Sequence, residues 1–309
     1  MRQGETAPKG SWTGKALGGV EAPRPLMLPD PAMRFAATAA RLDRLAAGHK
    51  MADWLHFMAE IARAQHAAAS RPIPVAAPEQ TAIDQAVAAR MPPIAADGHP
   101  RDAAWRSGLA HMLESFDRRQ APAPAAAVMA GLRDRDAGAL EALADDFLRG
   151  NVGSEAAGAA LYVAAALQVY FTRLAATLDP EDLRLLPQRG LCPVCGSTPV
   201  SGVVTASGQT PGARYLHCSL CSTAWNHVRA VCVTCGGSRS LSLRAIDGQS
   251  GLVRAETCDE CHTYTKVLYQ AEDVEVDPYA DDLATLGLDL VVADAGWARH
   301  APNPLLLVG

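Results

Sequence analysis

The chain has 309 residues, of which 49% are apolar and only 5% aromatic, and its formal net charge at pH 7 is −5. This size and apolar content allow a buried core, which excludes a wholly disordered protein. Many alanines and few aromatic residues favour packed helices over a β-sandwich, and the acidic excess argues against a general polyanion binder.

The sequence shows no mark of export. Arg2, Lys9 and Lys15 are not followed by an apolar stretch, so the N-terminus does not resemble a secretory signal peptide. The longest uncharged apolar run, Ala156–Thr172, is barely long enough to cross a bilayer. We interpret it as a buried core helix without membrane insertion and expect a cytoplasmic protein, in which cysteines serve as ligands or redox groups rather than disulfides.

The N-terminal half is predicted to be helical. Residues 1–32, rich in glycine and proline, are expected to form a poorly ordered extension, and 33–186 a helical domain. Helical spacing runs from Phe35 to about Ser70, and a long alanine-rich helix runs from Ser154 to about Leu178. The apolar stripes are Trp54, Phe57, Met58 and Ile61, then Trp105, Leu109, Met112, Leu113 and Phe116, and then Leu140, Leu143, Ala144 and Phe147.

The composition changes near Pro187, where short runs rich in Val, Thr, Ser and Gly replace the helical spacing. All eight cysteines of the chain follow this point, in four C-x-x-C pairs. The pairs are Cys192/Cys195, Cys218/Cys221, Cys232/Cys235 and Cys258/Cys261. A shift of 40 residues places the first two pairs on the last two and Arg214 on Arg254, which indicates a tandem duplication.

Two such pairs supply four thiolates in a tetrahedron, which suits zinc or a single iron ion. We predict that consecutive pairs share an ion, so that two four-cysteine sites form. The first is Cys192, Cys195, Cys218 and Cys221, and the second is Cys232, Cys235, Cys258 and Cys261. A cross-braced arrangement is the less favoured alternative because the link between the second and third pairs is short. Thioredoxin-type chemistry is disfavoured because no βαβ pattern surrounds the pairs.

The predicted fold is therefore a mainly α-helical bundle followed by two tandem rubredoxin-like zinc-ribbon modules, over 187–229 and 230–270. The segment Cys192–Gly196 has the C-P-x-C-G pattern that iron-binding rubredoxins share with many zinc ribbons, so the metal stays open between iron and zinc. Residues 271–309 are predicted to form a short C-terminal helix, at Asp281–Ala293, and a tail.

Charge argues against nucleic-acid binding by these ribbons. Between Gln188 and Gln270, seven basic residues face four acidic ones, and eight thiolates with two divalent ions bring the module near −1. A reader of DNA or RNA needs a basic excess to displace counterions, so a zinc-ribbon nucleic-acid binder is retained only as a second alternative function.

Other side chains near the cysteines are given less specific interpretations. The histidines His217, His227 and His262 are expected at the surface or beside the sulfur ligands rather than on the ion. Trp225 is expected to pack beside the first metal site or to anchor an interface. The acidic residues between Glu272 and Asp282 have no calcium-loop spacing and are interpreted as a solvated face.

Several of these segments resemble the formate dehydrogenase accessory proteins of the FdhE family. The specific matches are Cys192–Ser197, Arg214–Cys221 followed by Trp225, Cys258–Tyr264 and Ala280–Ala284. Weaker similarity in Trp54–Gln65 and Pro100–Trp105 extends the resemblance over most of the chain beyond about residue 30. All eight cysteines correspond to the family pattern, whereas His262 stands where glycine is expected.

The resemblance implies a cytoplasmic, non-enzymatic maturation factor. Such a protein acts on the catalytic subunit of respiratory formate dehydrogenase, which carries a molybdenum or tungsten cofactor and an iron–sulfur cluster, before export. We expect the binding surface in the groove where the bundle meets the ribbons, with Trp225 and Tyr264 as contacts. The first alternative is a rubredoxin-type electron-transfer protein, which requires iron.

Overall fold

The computed structural model describes residues 22–116, 121–208, 210–248 and 250–306. Most of the predicted N-terminal extension, 1–21, lies outside these residues. Its last part is ordered, contrary to the prediction: strand β1 (Leu26–Met27) pairs with the C-terminal half, where Leu26 lies opposite Trp225. The reason is that Leu26 is itself buried in the core, where only 6% of it is exposed.

Seven described helices precede the ribbons. They are α1 (Pro31–Ala46), α2 (Ala52–Ala69), α3 (Gln80–Ala88), α4 (Ala104–Ser115), α5 (Ala123–Arg133), α6 (Ala137–Leu148) and α7 (Ala157–Ala175), the last preceded by a 3-10 turn at Ser154–Ala156. The segment predicted as continuously helical from Phe35 is two helices, because the chain turns at Gly48 with a positive φ of 74°. Asp30 caps α1 by accepting a hydrogen bond from the Ala32 N–H.

Helix α7 occupies the centre of the bundle. It contacts α2, α4, α5 and α6, and most of its residues are buried, including Tyr162, Val163 and Phe171. The stretch Ser154–Ala175 is long and apolar enough to cross a membrane, but 78% of its apolar 18-residue window is buried inside the protein. Its packing is that of a core helix, which fits the interpretation made from the sequence.

The ribbons form one sheet together with the edge strands. The strands are β2 (Pro199–Val204), β3 (Arg214–Cys218), β4 (Ala224–Asn226), β5 (Leu241–Arg244), β6 (Val253–Cys258), β7 (Thr263–Tyr269) and β8 (Ala298–Arg299). Their order is β1-β4-β3-β2-β7-β6-β5. Strand β8 pairs with the first residues of β7, whereas β2 pairs with its last residues. Each ribbon is an antiparallel three-stranded unit, and the parallel pair β2–β7 joins the two units edge to edge.

The predicted closing helix is divided in two. Helix α8 (Ala280–Ala284) and helix α9 (Leu286–Asp294) are separated at Thr285. Lys266 explains the break, because its buried ammonium group donates hydrogen bonds to the carbonyl oxygens of Asp282 and Thr285. Those carbonyls are therefore satisfied by a side chain rather than by a continuing helix.

The acidic segment is only in part the solvated face that the sequence suggested: Glu272 and Glu275 are exposed, but its last two carboxylates are buried. Asp281 is 1% exposed and Asp282 is fully buried. Asp281 receives two hydrogen bonds from the Arg41 guanidinium on α1, at 2.7 and 2.9 Å. Asp282 faces Lys266 at 3.3 Å and is also paired with Arg299. Buried charges require such partners because an unpaired ion loses its hydration without compensation.

A second buried charge pair connects the two ribbons. Arg214 on β3 is 1% exposed, and its Nη1 donates to Glu256 on β6 at 2.6 Å. Its Nη2 donates to Nδ1 of His227, also at 2.6 Å, so that nitrogen must be unprotonated and the imidazole neutral. His227 is thus a buried partner of Arg214 rather than a group at the surface or beside a sulfur ligand.

This arrangement predicts a pH-dependent stability. Burial and the Arg214 charge lower the pKa of His227 to about 4, whereas an unfolded histidine titrates near 6.5. Between pH 4 and pH 6.5, His227 binds a proton in the unfolded chain but not in the folded one. The contribution of His227 to the free energy of unfolding is therefore complete above pH 6.5 and is lost as the pH falls towards 4. We expect His227→Asn, whose amide oxygen can still accept from Arg214, to lose less stability between pH 7 and pH 5 than the parent protein, by on the order of 1–2 kcal/mol.

Urea unfolding at pH 7, 6 and 5 measures this difference. Weakening of the metal–thiolate bonds in acid affects both proteins and cancels in the comparison. Identical pH slopes for the two proteins would show that His227 is not held neutral by its surroundings.

Candidate metal centres

The four cysteine pairs come together as two separate groups of sulfur atoms. Within each group the ligand atoms all lie within 4.8 Å of one another. The groups are Cys192, Cys195, Cys218 and Cys221, and Cys232, Cys235, Cys258 and Cys261. Consecutive pairs therefore share a site, as predicted, and the cross-braced alternative is wrong.

The sulfur positions fit a tetrahedral ion. A metal–sulfur bond of about 2.3 Å in a regular tetrahedron places neighbouring sulfurs about 3.8 Å apart. In the second site the Cys232–Cys261 and Cys235–Cys258 sulfurs are 3.7 and 3.8 Å apart. In the first site the distances are 3.5 Å for Cys192–Cys221 and 3.3 Å for Cys195–Cys218. Four thiolates so placed would hold a zinc or iron ion, which would supply the covalent cross-link between the two arms of each ribbon.

The first turn of each site has the same backbone geometry. Gly196 and Gly236 follow the second cysteine with φ of 77° and 74°, and the N–H of each donates back to the first cysteine carbonyl, Cys192 or Cys232. Gly196 has a further constraint, because a Cβ there would lie 3.2 Å from Pro92 of the helical domain. The left-handed backbone conformation and the closeness of Pro92 together explain why position 196 is a glycine.

The second turn of each site uses residues other than glycine. Ser222 and its repeat equivalent His262 have φ of 61° and 53°. This position is where the family resemblance predicts glycine, and the positive φ gives the reason. The turn is nonetheless formed with histidine, because Cys261 remains in the second group of sulfurs.

The helical domain encloses the first site from two sides. On one side, the Ile94 and Ala96 N–H groups donate to the carbonyls of Val194 and Cys195 at 3.1 and 2.8 Å. On the other side, the Gln168 amide on α7 donates to the Ser219 carbonyl at 2.8 Å. The first site is thereby continuous with the bundle core, and no cysteine of this site is more than 1% exposed.

Two more contacts tie the first site to the rest of the chain. The Tyr279 hydroxyl, in the segment before α8, donates to the Cys218 carbonyl at 3.0 Å. Arg34 on α1 donates from Nε to the Ser222 hydroxyl and stacks 3.3 Å from the centre of the Tyr279 ring. The first site is therefore a junction of α1, α7 and the C-terminal segment.

The second site is open by comparison. Cys232 and Cys258 are buried, Cys261 is partly buried and Cys235 is exposed. Its turns also carry exposed side chains, those of Asp259, Glu260 and His262. The two sites thus share a ligand set and differ in their access to solvent.

A hydrogen-bond chain is specific to the second site. The Thr263 hydroxyl lies 3.1 Å from the Cys261 sulfur and 2.8 Å from the Thr234 hydroxyl, which in turn lies 2.8 Å from Nδ1 of His300. Valine at 194 replaces Thr234 in the first repeat, so the first site has only the equivalent of Thr263, at Thr223. The signal for this difference was present in the sequence, as a polar residue at the x position of C-x-x-C.

The two aromatic residues expected at the partner interface are interior. Trp225 is fully buried, and its Nε1 donates to the Arg189 carbonyl at 2.8 Å. Tyr264 is 2% exposed, and its hydroxyl donates to Asp289 at 2.7 Å. In this structure neither ring is available at the surface, and both contribute to packing around the ribbons. His217 is mostly buried as well, where burial and Arg34 lower its pKa to about 4.

A groove of about 540 Å³ lies where the bundle meets the first ribbon. Its helical wall is formed by the segment Arg90–Pro92, by Ala95–Asp97 and by Leu148, and its ribbon wall by Leu186–Gln188, Leu191 and Cys195–Ser197. Met91 is 56% exposed at this groove. A groove at this junction was expected from the sequence, but its helical wall at 90–97 was not, because this segment contains Pro92 and Pro93 and shows no apolar stripe.

Comparison with known proteins agrees with this architecture. Family profiles described as FdhE N-terminal, FdhE central domain and FdhE C-terminal domain match residues 23–187, 191–229 and 230–306. A protein named "Protein FdhE homolog" from Edwardsiella ictaluri is 40% identical over 286 residues, covering 92% of each chain. A second protein of that name, from Rhizobium meliloti, is 36% identical over 296 residues, covering 94% of this chain and 95% of that one.

A solved structure is also similar along the whole fold. The crystal structure of the FdhE protein from Pseudomonas aeruginosa superposes with a TM-score of 0.83 at 34% identity, covering 92% of this chain and 99% of that chain. The similarity includes both halves of the molecule, the helical domain and the four-cysteine ribbons. The chain therefore belongs to the FdhE family.

Proposed function

We propose that this protein is a maturation factor that binds the catalytic subunit of a respiratory formate dehydrogenase in the cytoplasm, before that subunit is exported. The observation that carries this proposal is family membership along the whole chain, with helical and ribbon profiles matched in succession. The family consists of accessory proteins, which implies a role in forming active formate dehydrogenase rather than catalysis by the chain itself.

The groove beside the first metal centre is the surface that best supports partner binding. It is lined by side chains from both halves of the molecule, so its shape exists only when ribbon and bundle are assembled. Met91 and Pro92 contribute apolar side chains to its lining, and the exposed Arg90 and Asp97 contribute charged ones. An apolar centre with a polar rim is the usual composition of a protein-binding patch.

The proposal predicts that Met91→Glu weakens capture of the catalytic subunit at least about tenfold, because a charge replaces an apolar side chain at the contact. The measurement is retention of the purified catalytic subunit on immobilised protein at micromolar concentration under anaerobic conditions. Met33→Glu is the matched control, since Met33 is 62% exposed on α1 and does not line the groove.

Two results would count against the proposal in different ways. Absence of retention by the parent protein contradicts binding of the catalytic subunit altogether. Retention that is equally strong for the parent and Met91→Glu proteins contradicts the groove as the binding surface.

Electron transfer of rubredoxin type is the second candidate, and the exposure of Cys235 favours it. A metal ion beside an exposed ligand lies close enough to the surface to exchange electrons with a partner. This candidate requires iron with a reversible Fe(III)/Fe(II) couple. Colourless, zinc-loaded protein that still supports formate dehydrogenase maturation would eliminate it.

A further inference from the structure

The two four-cysteine sites belong to two repeats with the same cysteine spacing, yet they differ in how far they are buried. Cys195 is 1% exposed, whereas its repeat equivalent Cys235 is exposed. The same contrast applies to Cys221, which is fully buried, and Cys261, which is partly exposed. Because the ligands themselves are identical, the difference comes from what covers each site.

The two residues between the cysteines of the second C-x-x-C pair of each repeat differ in the same way, being buried in the first repeat and exposed in the second. In the first repeat they are Ser219 and Leu220, which are 6% and 3% exposed against the bundle. In the second repeat they are Asp259 and Glu260, which are exposed. The first repeat thus has two buried, uncharged residues at the place where the second has two exposed carboxylates.

The Glu260 carboxylate lies beside Gly237, next to the exposed edge of the second site. A Cβ built on Gly237 would be 2.3 Å from Oε2 of Glu260 and 3.3 Å from the Cys235 sulfur, so both atoms border the same small space. The Gly237 N–H also donates to that sulfur, at 3.4 Å. A carboxylate oxygen is therefore close to the exposed thiolate, where it can serve as an alternative ligand for an ion leaving or entering the site.

Exposure of a four-cysteine site controls how fast its ion can exchange, because an incoming ligand must reach the ion. An ion bound by four thiolates leaves when an incoming ligand approaches and takes over its bonds one at a time, and thiolates, imidazoles and carboxylates all bind zinc. Such an approach needs an open face, which the first site offers only if bundle and ribbon separate. Local opening of a buried region costs far more free energy than exposure of a surface turn.

We propose that the second four-cysteine centre is an exchangeable site for a soft divalent cation, zinc or ferrous iron, whereas the first centre keeps its ion for as long as the chain is folded. In the exchange step the four cysteine–metal bonds of this site, beginning with that of Cys235, would be replaced one by one by bonds from the ion to an external thiolate or chelator. No electron is transferred, and each released thiolate takes a proton from water. The second site thereby becomes a point at which metal can enter or leave the folded protein.

The experiment uses the full chain loaded with two zinc ions and a colorimetric chelator, 4-(2-pyridylazo)resorcinol, in excess. We expect one equivalent of zinc to be released at least about tenfold faster than the other, with the far-ultraviolet circular dichroism unchanged during the fast phase. Native mass spectrometry should show a folded species with one ion as the intermediate.

Alkylation of the parent protein identifies which site opens, without any substitution. Iodoacetamide in the presence of the chelator should label peptides containing Cys235 and Cys261 before those containing Cys195 and Cys221. Release of both ions in a single phase, or earlier labelling of the first group, would overturn the proposal.

Substitution of Glu260 tests the mechanism of exchange. Glu260→Leu installs the residue that the first repeat has at 220 and should slow the fast phase several-fold while leaving the slow phase unchanged. Glu155→Leu, at an exposed glutamate on the 3-10 turn before α7, is the matched control and should change neither phase. An unchanged fast phase in Glu260→Leu would contradict assistance by the carboxylate, and a changed slow phase would contradict independence of the two sites.

Discussion

Cys195→Ser is expected to destabilise the whole protein, whereas the repeat-equivalent Cys235→Ser leaves most of it folded. Structural four-cysteine sites contribute folding free energy directly, and the first site also links the bundle to the sheet. Its Cys195 carbonyl receives the Ala96 N–H, and its ribbon supplies one wall of the groove. We expect Cys195→Ser to lose on the order of 5 kcal/mol or more of unfolding free energy.

Denaturant unfolding followed by circular dichroism at the helix signal measures this loss. The helix signal reports the bundle, which contains no cysteine ligand, so its loss in Cys195→Ser would show that the first ion supports the neighbouring domain. Cys235→Ser should bind one ion fewer and unfold within about 1–2 kcal/mol of the parent, because that ligand is at the surface. Equal destabilisation by the two substitutions would contradict the different roles assigned to the two centres.

Lys266→Met is expected to destabilise the protein on the order of 3–5 kcal/mol, which is the usual cost of removing one partner from a buried ion pair. The Lys266 side chain is fully buried, 2.6 Å from Asp289 and 3.3 Å from Asp282. Its removal leaves the two carboxylates with Arg299 as the remaining cation of this cluster. The carbonyl oxygens at the break between α8 and α9 also lose their donor.

Thermal and urea unfolding measure this effect, and Lys50→Met is the matched control at an exposed lysine. The double variant Lys266→Met with Asp289→Asn should recover part of the loss, since it removes one stranded carboxylate. A loss below about 1 kcal/mol in the single variant, comparable with a surface substitution, would show that water reaches this cluster.

The grouping of the cysteines was the part of the molecule most directly predictable from sequence. Four C-x-x-C pairs with an internal repeat leave few arrangements, and the short link between Cys221 and Cys232 favoured the one that is observed. Helices α4 and α6 were also predictable, because their apolar stripes repeat at helical spacing. Helices α3 and α5 were missed: the first lies between prolines and the second is almost uniformly apolar, so neither shows a clear stripe.

The interpretation of exposed and buried side chains was less successful. The acidic segment looked solvated because its charges are adjacent in sequence, but Arg41 on α1 and Lys266 on β7 reach two of them from distant positions. Trp225 packs in the same core cluster as the cysteines of the first site, as one of its two interpretations expected, whereas its role as an interface contact and that of Tyr264 are not met because both rings are buried. Each of these outcomes depends on a contact between residues far apart in the chain.

By itself the sequence determined which atoms can bind metal, how they are grouped and which segments are helical, because these properties arise from spacing over a few residues. Only the tertiary structure decided that the first four-cysteine site is buried under the bundle while the second is open to solvent. The physical reason is that burial depends on which distant surface packs against a turn, and the two repeats, alike in their ligands, meet different neighbours.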